Sequence, residues 1–304
     1  MIAVEVVGLE KRYGDTVAVA GIDFRVEQGE VFALLGPNGA GKTTTVEILE
    51  GYRVPDRGTV RVLDREPGSA PPSWRDRIGI VLQQSGIEKE LTVREALTRL
   101  ARLYTRPAAV DHTIERVGLA EKAEARIKTL SGGQRRRVDM AAAIIGQPDL
   151  IFLDEPTTGF DPAARREAWR LVQDLTADGA TVILTTHYLD EAQHLADRVA
   201  VIARGRIVTE GDPSTLGGRD RGLARVRFRT PSEPLPSRLG TGTNHNGWTE
   251  LTTPTAVELL HALTSWALDR GIELDGLEVR RPSLEDVYLE LIGADRAAEE
   301  AAGP

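Results

Sequence analysis

One stretch constrains the fold more than any other: Val31-Phe32-Ala33-Leu34-Leu35, then Gly36-Pro37-Asn38-Gly39-Ala40-Gly41-Lys42-Thr43-Thr44-Thr45. Five consecutive apolar residues predict a buried strand. The segment "GKTTTVEILEGY" predicts a helix that ends at Gly51. The turn between them fits G-x-x-x-x-G-K-[ST]. Its glycines let the backbone bend sharply and aim N–H groups inward, and the helix start adds partial positive charge. Such a turn is suited to a phosphate chain. Lys42 can reach the β- and γ-phosphates, and the Thr43 hydroxyl can ligate Mg²⁺. Kinases, GTPases and motor proteins share this loop, so alone it says only that a nucleotide is bound. The chain has no N-K-x-D stretch of the kind that reads guanine, which argues against GTP.

Bulk properties narrow the classes. The 304 residues, 41% of them hydrophobic, suffice for one large core or for a large domain plus a smaller one. A formal net charge of −8, with Arg and Lys scattered along the chain, argues against nucleic-acid binding. The absence of cysteine excludes disulfides and thiolate metal sites and fits a reducing compartment. No segment approaches the roughly 18–20 apolar residues that a membrane span needs. The first residues include Glu5 and no long apolar run, so no signal peptide is expected. Action at a membrane would require another chain to supply the membrane part.

Strand-like and helix-like segments alternate at first, which predicts an α/β domain. "AVEVVGLEKRYG" and "VAVAGIDFRVEQGE" are expected to be strands around a turn, with "GTVRVLD" and "RIGIVLQ" as further short strands. From Gln83 to about Gly146 the pattern is helical, an insert between strands of the sheet. "LIFLDEP" and "TVILTTH" return as apolar, β-rich runs, and "VAVIARGRIVTEG" reads as a closing strand pair. Composition shifts near Gly217 to Gly, Pro and Ser. Beyond it a small α+β domain is expected over residues 217–293, then a frayed tail over 294–304. Its first helix is predicted to start with a capping box from Thr255 to Glu258 and to carry Leu259, Leu260, Leu263, Trp266 and Ala267 on one face. A second helix is expected from Pro282-Ser283, with Leu284, Val287, Tyr288, Leu291 and Ile292 on one stripe.

"LIFLDEP" puts Asp154 and Glu155 at the end of a buried strand. One carboxylate there can hold Mg²⁺ opposite Thr43 while the next polarises an attacking water, the division of labour that phosphoryl transfer needs. In "LSGGQRRR", Ser131 can N-cap a helix, and Gly132 and Gly133 keep the approach to that helix end free of side chains. With these motifs together, the chain resembles the ATP-binding cassette (ABC) ATPases over roughly residues 4–215. Leu130-Ser131-Gly132-Gly133-Gln134 matches the family's signature word, and "RRRVDMAAAIIGQPDLIFLDEPTTGFDP" continues the match.

The resemblance implies a P-loop NTPase cassette over residues 1–216, with a RecA-like core, an antiparallel β subdomain and a helical subdomain at about 84–147. It implies that Tyr13 stacks on adenine, and that Gly36, Pro37, Asn38, Gly39, Ala40, Gly41, Lys42, Thr43 and Thr44 hold the ATP phosphates. Ser131, Gly132, Gly133, Gln134 and Asp161 then meet the nucleotide of a second copy. Thr43, Gln83 and Asp154 serve Mg²⁺, and Glu155, His187, Gln83 and Lys42 serve catalysis; Gln84 leaves the Gln83 position open by one residue. His112, His194, His245 and His261 lack such context and are taken as surface or structural residues. Two cassettes are expected to close head to tail on two ATP. A paired, different cassette is the alternative to a second identical copy.

The end of the chain, "RRPSLEDVYLELIGA", resembles the daunorubicin/doxorubicin-resistance branch of ATP-binding proteins, in ABC-2 type exporters. In that branch the permease is a separate chain, which implies a peripheral place on the cytoplasmic face of the membrane. The segment "QSGIEKELTVREAL" lies where such cassettes receive a helix of the membrane subunit. A soluble ABC ATPase that remodels a protein or nucleoprotein complex is the alternative, and a nucleotide-binding regulator without catalysis is disfavoured by Asp154, Glu155 and His187.

Overall fold

In the computed structural model the described residues are 1–82, 86–216, 223–240 and 242–280. The expected second C-terminal helix, the tail and Gln83 therefore lie outside them. The chain divides into two compact units, Met1–Pro213 and Ser214–Pro304.

The first unit is built on two sheets. Strands β1 (Ile2–Tyr13), β2 (Thr16–Glu27) and β4 (Arg57–Val62) form an antiparallel sheet in the order β2-β1-β4. A six-stranded sheet has the order β5-β6-β7-β3-β8-β9. It contains β3 (Val31–Leu35), β5 (Ile78–Val81), β6 (Leu150–Asp154), β7 (Thr181–Thr186), β8 (Arg198–Ala203) and β9 (Arg206–Gly211). Five of these strands run parallel, and only β9 is antiparallel, closing against β8. All five residues of β3 and all six of β7 are buried, as covered parallel strands require.

Helix α1 (Lys42–Leu49) follows β3 and packs between the two sheets. Val46, Ile48 and Leu49 share a core with Val4, Phe24, Phe32 and Phe152. Trp74 of the short α2 (Pro72–Arg75) joins that core and donates from its indole N–H to the Val62 carbonyl at 2.9 Å. The insert between β5 and β6 contains α3 (Val93–Ala101), α4 (Val110–Arg116) and α5 (Gly132–Ile144). Thr92 opens α3 with a reciprocal capping box to Glu95. Helices α6 (Pro162–Ala177) and α7 (Leu189–Leu195) follow β6 and β7 as crossovers. Parallel neighbours need such crossovers.

The second unit has a four-stranded antiparallel sheet, ordered β11-β12-β10-β13. Its strands are β10 (Ala224–Arg229), β11 (Thr243–His245), β12 (Trp248–Thr253) and β13 (Glu278–Arg280). Helix α8 (Ala256–Asp269) covers one face. Leu263, Trp266 and Ala267 are buried against Val226, Phe228 and Leu251, with Leu259 and Leu260 at the margin, as the helical stripe predicts. The expected capping box is not formed. Thr255 is the N-cap residue, but its side chain accepts no bond from the helix, and its own N–H donates to the Thr253 hydroxyl at 3.1 Å. The strand end, through Thr253, has taken the turn that the box would have closed.

Trp266 is 1% exposed, so Trp266→Ala should destabilise this unit by about 3–5 kcal/mol. The measurement is hydrogen exchange at β10 amides such as Val226; unchanged protection there would contradict the packing described.

Candidate functional site

Parallel register puts the chemistry at one edge. Leu35 of β3 lies beside Thr186 of β7, and Asp154 of β6 lies beside Thr185. Three adjacent strands thus end at one level, and their next residues share the carboxyl edge of the sheet, where open α/β sheets bind ligands. Gly36 leaves β3 with its N–H directed to the Thr186 carbonyl, at 3.4 Å.

The glycine turn has two positions that no other residue fits. A Cβ at Gly36 would lie 2.2 Å from the Ile202 carbonyl oxygen. Gly41 has φ +106°, and a Cβ there would meet the Ala18 carbonyl oxygen at 2.3 Å. Gly41 is also the N-cap of α1, with no side chain over the helix start. Lys42 is 5% exposed, and its ammonium donates to the Gly36 and Pro37 carbonyls at 2.8 and 3.1 Å. Burial lowers its pKa, and the nearby Glu155 and Asp154 charges act the other way. Two of its three N–H donors hold the loop, which leaves one for an anion. Thr43 is exposed and Thr44 half-buried at the helix start.

Asp154 accepts a hydrogen bond from the Thr185 hydroxyl. Glu155 has φ +46°, a left-handed conformation uncommon for a residue with a Cβ, and such positions cluster at functional sites. The turn is tied from several sides. The Glu155 N–H donates to the Thr185 carbonyl at 3.1 Å and to its hydroxyl at 3.2 Å. The Thr158 hydroxyl donates to Glu155 Oε2 at 3.3 Å, and His187 Nδ1 lies 3.0 Å from Glu155 Oε1. His187 is itself set by a turn in which the Tyr188 N–H donates to the Thr186 hydroxyl at 2.9 Å.

Three residues that the sequence reading did not single out hold this array. Thr185 links Asp154 to Glu155. Arg136 of α5 is 8% exposed and donates to the carbonyls of Asp154 (2.7 Å), Pro156 (3.1 Å), Glu155 (3.3 Å) and Leu82. Glu191 is fully buried and accepts from the Thr157 hydroxyl at 2.8 Å and the Trp169 indole at 3.3 Å, while burial pushes its carboxyl pKa up. A second arginine beyond a signature word carries no local signal for such contacts.

The signature residues form a complete helix start. Ser131 accepts from the Gln134 N–H at 3.2 Å, and Gln134 Oε1 accepts from the Ser131 N–H at 3.0 Å. No hydrogen bond among the described residues joins residues 131–134 to residues 36–43 of the same chain. Asp161 caps α6, with Oδ1 accepting from the Ala163 and Ala164 N–H groups at 2.9 and 2.8 Å. Those bonds hold its carboxyl below the ordinary aspartate pKa. Tyr13 is 40% exposed, and its ring lies against Arg53 and Lys11, whose charges are 5.3 and 5.8 Å from its centre.

A groove of about 830 Å³ lies on the same unit, between β5, α3 and α5. Its apolar walls include Ile78, Ile80, Leu91, Ala96, Leu100 and Ala143. Glu50, the C-cap of α1, forms part of the wall.

The family pattern described as "ABC transporter" matches residues 19–158, and "ABC transporter domain-containing protein-like, C-terminal domain" matches residues 224–283. The chain is 39% identical to the daunorubicin resistance ATP-binding protein DrrA3 of Streptomyces coeruleorubidus, over 99% of both chains. It is 38% identical to the Nod factor export ATP-binding protein I of Paraburkholderia xenovorans (strain LB400), over 96% of this chain and 98% of that one. This protein belongs to the ABC transporter ATP-binding family. Among solved structures, an ATP-binding subunit of an ABC transporter is similar with a TM-score of 0.64 and 26% identity, over 70% of this chain and 90% of that one.

The ABC cassette is thus an ATPase with a small additional unit after it. Among the described residues, no helix is long and apolar enough to cross a membrane. No group of three or more His, Cys, Asp or Glu side chains among them is placed to hold a metal. The oxygen donors available, the Thr43 hydroxyl and the Asp154 carboxylate, instead suit Mg²⁺ held jointly by a few protein oxygens and phosphates.

Removing Arg136 would leave the buried Pro156 carbonyl and the part-buried carbonyls of Asp154, Glu155 and Leu82 short of a donor. Arg136→Ala should therefore destabilise the first unit by about 3 kcal/mol or more and cut ATPase activity. Chemical denaturation and steady-state turnover check both; wild-type values would refute the clamp.

Glu50 provides a pH test. Burial, then the charges of Asp154 and Glu47, raises its pKa from 4.5 to about 8. Its contribution is fully present below pH 4.5 and is lost as pH rises through about 8. Glu50→Gln lacks that loss, so its stability relative to wild type should climb between pH 5 and pH 8. A pH-independent difference in melting temperature would show a solvated carboxyl.

Proposed function

We propose that this cassette is the ATP-hydrolysing subunit of an ABC-2 type exporter, with its membrane-spanning permease on a separate chain. The observation that carries the reading is the array at the sheet edge: Glu155 in a left-handed turn, bonded to His187 and beside the loop that ends in Lys42. The names of the relatives, a daunorubicin resistance protein and a Nod factor export protein, support export.

In this reading residues 36–44 cradle the phosphates of ATP through backbone N–H groups, the free donor of Lys42 and the start of α1. Tyr13 packs on the adenine. Thr43, Asp154 and Gln83 would hold Mg²⁺, which when bound would supply charge neutralisation at the phosphate oxygens. Thr185 orients Asp154 for that task. Glu155 orients the attacking water and accepts its proton, and its turn presents the carboxylate away from the strand. His187 uses Nδ1 to fix Glu155, so the contact with the terminal phosphate falls to Nε2.

Ser131, Gly132, Gly133 and Gln134 belong to the nucleotide of a second copy. Their capping box preorganises a helix start for an anion, while among the described residues no hydrogen bond links them to the loop of their own chain. Asp161 lies at the same interface, where its cap bonds fix the start of α6. Two identical subunits closing head to tail on two ATP complete both sites. The permease docks a helix in the 830 Å³ groove, which adjoins the "TVREAL" segment at the start of α3.

Glu155→Gln should bind ATP, lose about 10²–10⁴-fold in turnover, and accumulate as a closed dimer with ATP and Mg²⁺. Steady-state ATPase assays and light scattering read the two effects, and near-normal turnover would sink the assignment. Purified from detergent-solubilised host membranes, the trapped dimer should carry a multi-span membrane protein. A clean soluble dimer would favour a machine that remodels soluble complexes.

A further inference from the structure

Glu50 is an anomaly in the groove wall. The residue is only 8% exposed, and its carboxyl, which keeps a small opening to solvent, has no hydrogen bond or ion pair among the described residues. Buried carboxyls are ordinarily paired, because an unpaired one costs free energy that folding must offset elsewhere. Its position adds to the cost. It caps the carboxyl end of α1, where the helix dipole already disfavours negative charge. The Asp154 and Glu47 charges act on it with the same sign.

The other charged groups of the groove differ. Arg99 and Glu88 pair with each other at 3.1 Å, Asp139 has partners, and Arg75 stands exposed at the rim where water screens it. Only Glu50 combines burial, a lack of partners and a place on the apolar wall.

We propose that Glu50 is a specificity-determining contact of this groove, and that the helix docking there presents a lysine or arginine to it from an otherwise apolar face. The inference rests on the groove being the permease-docking surface and adds the chemistry of the partner. A cation suits the site better than a neutral donor. The Asp154 and Glu47 charges that act on Glu50 are both negative, and a guanidinium or ammonium turns an unpaired carboxyl into a charge-assisted pair. The apolar walls take the rest of the helix face, as helix-in-groove recognition does. The contact also has a mechanical address. The eight-residue helix α1 carries Lys42 at its first position and ends against Glu50, a separation of about 12 Å along one rigid element.

The chain has no cysteine, so a single reporter can be placed cleanly. Tyr52 lies on the groove rim and is 81% exposed. Tyr52→Cys, labelled with a short photocrosslinker, is irradiated in membranes of the native host, and the crosslinked peptide is sequenced. The expected product is a membrane-protein segment with a lysine or arginine among apolar residues at helical spacing. Adding Glu50→Gln should reduce its yield at least ten-fold while the free chain melts no lower than wild type. Glu50→Lys should abolish the product, and exchanging the partner's basic residue for glutamate should restore it.

An unchanged yield with Glu50→Gln, or a crosslinked segment without a basic residue, overturns the role of Glu50 and leaves groove docking standing. No membrane-protein product from the groove overturns the docking reading, and this inference with it.

Discussion

The carboxyl edge of the sheet depends on one buried guanidinium. Arg136 reaches from α5 to the carbonyls of Asp154, Glu155 and Pro156 and, across the next strand, to that of Leu82. Asp154 is the last residue of β6, and Glu155, Pro156 and Leu82 lie just beyond their strands, where the ladders end. Without that donor the buried Pro156 carbonyl and the part-buried ones beside it would lose a partner, and the left-handed turn at Glu155 would lose part of what over-determines it. A planar group with five donors in fixed directions meets this need, whereas a lysine, with one compact charge, would serve fewer carbonyls. Desolvation lowers the Arg136 pKa, with Asp139, Asp154, Glu191 and Glu155 acting against that effect.

What could be read in the sequence follows from range. The phosphate turn, Asp154-Glu155 and the Ser131 cap are local patterns, in which the residue types and their spacing are themselves the geometry. Lys42 bonds carbonyls five and six residues away, and Ser131 and Gln134 close a box across three. Arg136 bonds carbonyls 18 to 54 residues away, and Thr185 reaches Asp154 across 31. Register between β6 and β7 creates those meetings, and a run such as "TVILTT" does not state its register. The Thr255 box shows the converse error. Thr255 and Glu258 have the spacing of a capping box, but Thr253 at the end of β12 accepts from the Thr255 N–H that the box would have used. Asp161 illustrates a third case, since one carboxylate serves the start of its own helix whatever else it meets.

The C-terminal unit was legible as a class. Its helix stripe, strand alternation and glycine-rich entry gave an α+β reading, and the buried set on α8 matches it. Its outer sheet face was less so. Arg225, Arg227 and Arg229 alternate with buried residues along β10, and Arg227 and Arg229 lie over the Trp248 ring at 4.3 and 4.8 Å. Alternation predicts exposure of the three arginines, but the cross-strand position of Trp248 comes only from pairing Arg229 with it.

Two helices join the groove to the proposed nucleotide site, and they do so by different routes. Helix α1 begins at Lys42 and is capped by Glu50 in the groove wall. Helix α5 begins at the Ser131 cap, carries Arg136 one turn on, and reaches the groove with Asp139, Ala142 and Ala143. Helices are stiff over this length, so displacement of either wall is delivered to the other end as a rigid shift. On α1 the load arrives at the phosphate loop. On α5 it arrives both at the signature helix start and, through Arg136, at the Glu155 turn. A groove occupant that held the two walls at one spacing would therefore bias three parts of the proposed site together. The reciprocal also holds, because a free-energy coupling between two sites acts equally in both directions. Closure around ATP would reset the spacing of the groove, and that is the physical form in which hydrolysis could be felt by a chain docked there.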